Sequence, residues 1–191
     1  YCMSPKTRGT ICGVAAAMFY GANPLGALPL YADGINTCSV LFYRYAIAVA
    51  ALAVVMAVRR KPLAVSRRDL AIMALLGVLF AASSLSLFMS FLFMGAGVAS
   101  TLLFVYPVMV AVIMAVFFKE RVTRSTVLAI ALALTGVALL YKSDGGKPLS
   151  GAGVSLVMVS SLTYALYIII VNKSPLRMSS VKMTMYVLTF A

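Results

Sequence analysis

The 191-residue chain has no histidine, no tryptophan, three cysteines and four acidic residues. Without histidine, the usual near-neutral acid/base group and the commonest metal ligand are missing. The four acids, Asp33, Asp69, Glu120 and Asp144, stand far apart, in loops or at helix ends. No carboxylate pair therefore offers itself for acid/base work. Cys12 and Cys38 each lie near the start of an apolar run, in two successive runs that cross in opposite directions, which places them on opposite faces of a membrane, beyond the roughly 7 Å Cα separation a disulfide spans. With Cys2 ahead of them, all three read as free thiols. The chain reads as a protein without enzymatic activity, cofactor or metal.

Charge is also scarce, at 10% of residues against roughly 25% in a soluble domain. Hydrophobic residues make up 63% and the mean hydropathy is +1.06. Stretches close to the ~20 residues needed to span a bilayer recur along the chain. The approximate spans are 9–31, 37–58, 70–93, 98–118, 125–141 and 152–172. A seventh begins after Lys182, where MTMYVLTFA covers half a span. An open helix end in lipid leaves backbone groups unpaired, so the expectation is that the chain belongs to a longer protein. Span 1 is too long in its apolar part for a cleavable signal peptide, and its ALPLYA end is a poor cleavage site.

The net charge of +12 suggests nucleic acid until the cations are placed. Thirteen of the 16 basic residues precede span 1 or follow spans 2, 4 and 6. The positive-inside rule then predicts a cytoplasmic N-terminus in a multi-pass protein of the cytoplasmic (inner) membrane. Basicity is a topology signal here, and the partners it implies are the lipid bilayer and no nucleic acid.

Spans 1 and 6 read alike at a shift of 144 residues: GTICGVAAAMFYG (9–21) lies over GVSLVMVSSLTYA (153–165). Gly9 meets Gly153, Ala16 and Ala17 meet Ser160 and Ser161, and Tyr20 meets Tyr164. Span 1 starts on the cytoplasmic side and span 6 on the other, so a five-span unit repeated once is inverted, as in many secondary transporters. The predicted fold class is an all-α integral membrane protein, a polytopic helix bundle with an inverted five-helix repeat. Ten helices are expected in the full protein, with six complete and a partial seventh here. The expected division is 1–144 for the first repeat and 145–191 for the start of the second.

The segment 89–140 resembles the end of an EamA domain of the drug/metabolite transporter superfamily. The resemblance rests on a short Gly/Ala/Ser turn between spans 3 and 4, Tyr106–Pro107 in mid-helix, the Lys119–Glu120–Arg121 turn and Thr135–Gly136 in span 5. FYGANPL (19–25) and YRYAIA (43–48) resemble the family's first span and its arginine-containing second. Tyr20 departs from the tryptophan the family often carries, which bears on cavity shape. The resemblance implies a ten-helix transporter built from two EamA repeats.

Several residues are candidates for binding substrate. Arg44 lies about 10 Å below the start of span 2 at 1.5 Å per residue, with no acid within ten residues. Its depth allows partial snorkelling, and Tyr43 and Tyr45 offer amphipathic cover. Three partners are open to it: backbone carbonyls, a carboxylate elsewhere in a longer protein, or an anionic substrate. Pro24 and Pro107 break their helices and free the carbonyls of Tyr20 and Leu103. Such carbonyls are tolerated where they are buried in protein or line a cavity. GANPLG (21–26) adds Asn23. Ser83, Ser86 and Ser90 fall on one face of span 3, Ser160, Tyr164 and Tyr167 on one face of span 6, and Gly13, Ala16, Tyr20 and Asn23 on one face of span 1. With Tyr106, these would line a small, polar and aromatic cavity; the serines could equally bond a neighbouring helix. Glu120, between Lys119 and Arg121, reads as an ion-pairing or capping residue.

The leading expectation is a secondary transporter, an exporter or exchanger of small metabolites such as amino acids or related polar or amphipathic compounds. A non-transporting membrane scaffold subunit is the alternative. It predicts helix breaks plugged by neighbouring side chains and no central cavity. The sequence sets no oligomeric state.

Overall fold

The computed structural model describes residues 5–21, 29–30, 34–60, 64–119, 127–128, 131–132, 135–136, 150–174 and 178–191, with the side chains at 5, 6, 8, 17, 20 and 21 excepted. Asn23, Pro24, Glu120, most of span 5 and the side chain of Tyr20 thus lie outside the described residues. Among those described, all regular structure is helical. The helices are α1 (Pro5–Gly21), α2 (Thr37–Val58), α3 (Arg67–Ser90), α4 (Ala96–Leu103), α5 (Tyr106–Phe118), α6 (Gly151–Lys173) and α7 (Ser180–Phe190). Runs such as Tyr167-Ile-Ile-Ile-Val171 would be poor helix formers in water. In lipid a helix satisfies its own backbone, and propensity gives way to that demand.

The chain divides into two units, Tyr1–Asn36 and Thr37–Ala191. The first holds α1 and a turn in which the Ile35 amide donates to the Leu30 carbonyl at 3.1 Å. Gly34 makes that turn with φ +78°, a value open to glycine at little cost.

The second unit is a multi-pass membrane bundle. α2, α3, the α4–α5 pair and α6 are each long and apolar enough to cross a bilayer. α3 is its centre, packing against α6 on one side and against α7 and α2 on another. α3 and α6 run antiparallel, since Phe80 meets Tyr167 and Ser83 meets Ser160. Close approach depends on small residues, because lipid provides no hydrophobic drive for helix association. A Cβ at Gly77 would stand 2.6 Å from the Phe190 Cβ and 2.8 Å from the Val187 carbonyl oxygen on α7. The turn after α3 closes in the same way on α6, where a Cβ at Gly153 would meet the Met94 Cε at 2.7 Å.

These pairings gather the basic helix ends at one end of the bundle. Lys182, at the start of α7, donates to the Ala64 carbonyl just before α3 at 2.6 Å. Lys173, at the end of α6, lies 4.7 Å over the Phe118 ring at the end of α5. Arg59, Arg60, Arg67, Arg68 and Lys119 belong to the same end.

Candidate functional site

Membrane helices break where the chain is forced to break them, and here the cause is Pro107. It occupies the first turn of α5, where an absent N–H costs nothing. The Phe104 and Val105 amides tighten to three-residue bonds with the Thr101 and Leu102 carbonyls, at 3.0 and 3.1 Å. That leaves the carbonyl of Leu103, the one predicted to be freed. The Ser161 hydroxyl of α6 donates to it at 3.3 Å. Ser161 is fully buried, so the break is satisfied within protein.

The neighbouring Ser160 holds α6 to α3. Its hydroxyl donates to the Ser83 carbonyl at 2.7 Å, and the Ser83 hydroxyl donates back to the Ser160 carbonyl at 3.0 Å. Two adjacent hydroxyls on α6 thus tie it to two different helices. Among the described residues, the other two serines predicted on the Ser83 face make no hydrogen bond to α6. Ser90 is fully buried and donates to the Leu87 carbonyl of its own helix at 2.6 Å, while Ser86 is part-buried.

Replacing Ser161 by alanine leaves a buried carbonyl without its donor and is expected to cost about 1–2 kcal/mol. The fall in thermal midpoint of the purified protein measures it. Ser155→Ala is the control, since that hydroxyl turns back to the Ala152 carbonyl on an exposed face and its loss is expected to leave the midpoint in place.

The aromatic residues assemble into a continuous array across the bundle. Tyr106 of α5 meets Tyr164 of α6 edge-on at 4.9 Å, and Tyr164 stacks on Tyr167 at 5.8 Å with 14° between planes. Tyr167 contacts Phe80 of α3 at 5.6 Å, and Phe80 contacts Tyr45 of α2 at 6.0 Å. Centroid separations of this size are those of favourable aromatic pairs. The Tyr45 hydroxyl is buried beside Ser84 without reaching hydrogen-bond geometry. Beyond it a recess of about 450 Å³ lies between α2, α3 and the end of α7, walled by Leu41, Tyr45, Ala82, Leu85 and Phe190. That volume suits a small ligand. None of the residues proposed from sequence lines it.

Of the sequence candidates, Tyr106, Tyr164 and Tyr167 are thus brought together, Ser83 is engaged in the α3–α6 contact, and Arg44 stands apart. The Arg44 guanidinium carbon lies 5.5 Å from the centroid of the Phe88 ring, a cation–π contact absent from the three partners considered for it. Phe80, Tyr45, Phe88 and Ser161 were not singled out as site residues from the sequence. Phe80 could have been, since it falls three residues before Ser83 on the same helical face. Ser161 sits beside Ser160 in the segment that aligns with span 1. Among the described residues no cluster of metal-ligating side chains occurs.

Comparison with known proteins adds two findings. An uncharacterized transporter of Archaeoglobus fulgidus is 28% identical over 135 residues, which cover 70% of this chain and 46% of the relative. The chain therefore spans about half the length of this curated relative. No solved structure matches it. Residues 7–142 match the model of the EamA-like transporter family, a stretch that takes in α2 to α5 and the proline break. The chain belongs to the EamA-like transporter family.

Proposed function

We propose that this chain forms part of a secondary transporter that moves small metabolites, such as amino acids or related polar or amphipathic compounds, across the cytoplasmic membrane by alternating access. Export or exchange is the proposed direction. A cytoplasmic N-terminus is part of the proposal, supported by the basic residues that precede span 1 and follow spans 2, 4 and 6 in the sequence. Family membership and a relative named as a transporter support the activity. The observation that carries the substrate class is the ring array from Tyr106 to Tyr45. Rings bearing hydroxyls give a solute with an apolar part both a face to slide over and groups to hydrogen-bond. Tyr106, Tyr164 and Tyr167 are its proposed contacts.

Counterflow of labelled amino acids in proteoliposomes tests this. Tyr167→Ala is expected to lower uptake about ten-fold, the scale of one lost anchor of 1.4 kcal/mol, with Tyr167→Phe intermediate. Full uptake by both variants would remove the array from the path.

A second reading, a membrane scaffold subunit without transport, is favoured by one observation. Its expectation of plugged helix breaks fits the Ser161 bond to Leu103. Under that reading no labelled solute enters proteoliposomes, and none shifts the thermal midpoint.

A further inference from the structure

We propose that Arg44 and Phe88 form a binding site for the phosphodiester of a membrane phospholipid on the lateral face of the bundle. Arg44 is exposed, yet its guanidinium lies over a ring that is only 2% exposed. The ring face screens part of the charge. It offers no acceptor to the guanidinium N–H groups, which stay in the plane and need oxygen. Asp69, the acid among the described residues, is at the far end of α3, nineteen residues from Phe88. The cation therefore has no carboxylate partner within this described unit.

Depth decides which oxygen can reach it. Measured along α2, Arg44 is seven residues from the Thr37 start, about 10 Å at the helical rise. Measured along α3, the Phe88 it covers is two residues from the Ser90 end, about 3 Å. The guanidinium, drawn onto Phe88, therefore lies close to the end of α3. A lipid headgroup is within reach of a snorkelling arginine there.

The flanking residues select a lipid over a soluble anion. Phe42 and Tyr43, 68% and 65% exposed, meet edge-on at 5.7 Å beside Arg44. Exposed aromatics of this kind mark the membrane–water boundary. Ile47 and Val54 continue an exposed apolar surface down α2, and Leu92 lies just past Phe88. An acyl chain has that surface to lie on while its phosphate meets the guanidinium. Two parallel N–H···O bonds are the pairing arginine makes with phosphate, and lysine cannot copy them. Phe88 sets the plane in which they form.

Native mass spectrometry of the delipidated, purified full-length protein tests the site, and transport does not enter the readout. The probes are palmitoyl-oleoyl phosphatidylglycerol, the diacylglycerol with the same chains, and inorganic phosphate. The wild type is expected to retain the phospholipid about ten-fold better than the diacylglycerol, and Arg44→Gln to lose most of that difference, with Arg44→Lys recovering only part. Excess inorganic phosphate is expected to leave retention unchanged. Equal retention of the two lipids, or undiminished retention by Arg44→Gln, overturns the proposal. Displacement by inorganic phosphate overturns the lipid assignment in favour of a soluble-anion site. Should Arg44→Gln fail to fold, Phe88→Leu keeps every charge and is expected to weaken retention about three-fold through the lost ring contact. Unchanged retention in that variant rejects the site.

Discussion

Gly77→Val is expected to cost about 3 kcal/mol or more and to abolish a monodisperse folded protein, the upper range for forcing volume into a packed contact. The reason lies in which atoms stand in the way. A Cβ there would come within 2.8 Å of the Val187 carbonyl oxygen and 3.0 Å of the Phe190 carbonyl carbon. Backbone atoms of a helix cannot step aside singly, so α7 has to shift as a whole. That shift also disturbs α2, which packs on the same helix. Gly153 gives the contrast. The nearest atom to its added Cβ is the end of the flexible Met94 side chain, and a methionine can swing away at small cost. Gly153→Ala is accordingly expected to lose less than about 1 kcal/mol. Size-exclusion profiles and thermal midpoints of the two variants check both expectations. Equal effects would mean that α7 does not sit on α3 as described.

Ser160→Leu is the second large effect, expected at about 3 kcal/mol, while Ser160→Ala is expected near 0.6 kcal/mol. Ser160 is fully buried between α6 and α3, and its hydroxyl bonds the Ser83 carbonyl. Removing the hydroxyl deletes its bond to the Ser83 carbonyl and its 3.1 Å contact with the Ser83 hydroxyl, a modest loss in membrane proteins because the separated helices find other partners. The Ser83 hydroxyl keeps its bond to the Ser160 carbonyl in either variant, unless the helices move apart. Leucine forces that separation. It would also draw Ser161 away from the Leu103 carbonyl, so the proline break loses its donor at the same time. Reversible unfolding in mixed micelles gives both numbers. A larger loss for alanine than for leucine would show that the contact is held by polarity and not by close approach.

The two effects share a cause. In this bundle small residues set the distance between helices, and the rings fill the space that remains. The array from Tyr106 to Tyr45 needs α6 at its observed spacing from α3, which Ser83 and Ser160 maintain. Substitutions at those serines are therefore expected to reach the proposed transport path without touching it.

Much of the fold was legible from composition because a bilayer tests each stretch of about 20 residues on its own. The spans at 37–58, 98–118 and 152–172 correspond closely to α2, the α4–α5 pair and α6. The break at Pro107 and the carbonyl it frees were also readable, since ring geometry is a local property. Side-chain partners were less so. Helical spacing placed Ser83, Ser86 and Ser90 on one face, but that spacing reports direction and not distance. Ser90 turns to its own helix because a carbonyl three residues back is always within reach.

By itself, then, the sequence determined that this is a helical membrane protein with its cations at alternate ends of the spans, and it carried the family's pattern in order. Those properties depend on residue type and on position along the chain. Which groups meet was decided by tertiary structure alone: Ser161 with Leu103, Arg44 with Phe88, and Phe80 as the ring joining Tyr167 to Tyr45. Such pairs are separated by tens of residues, and they form only where small residues let two helices approach closely enough for their side chains to touch.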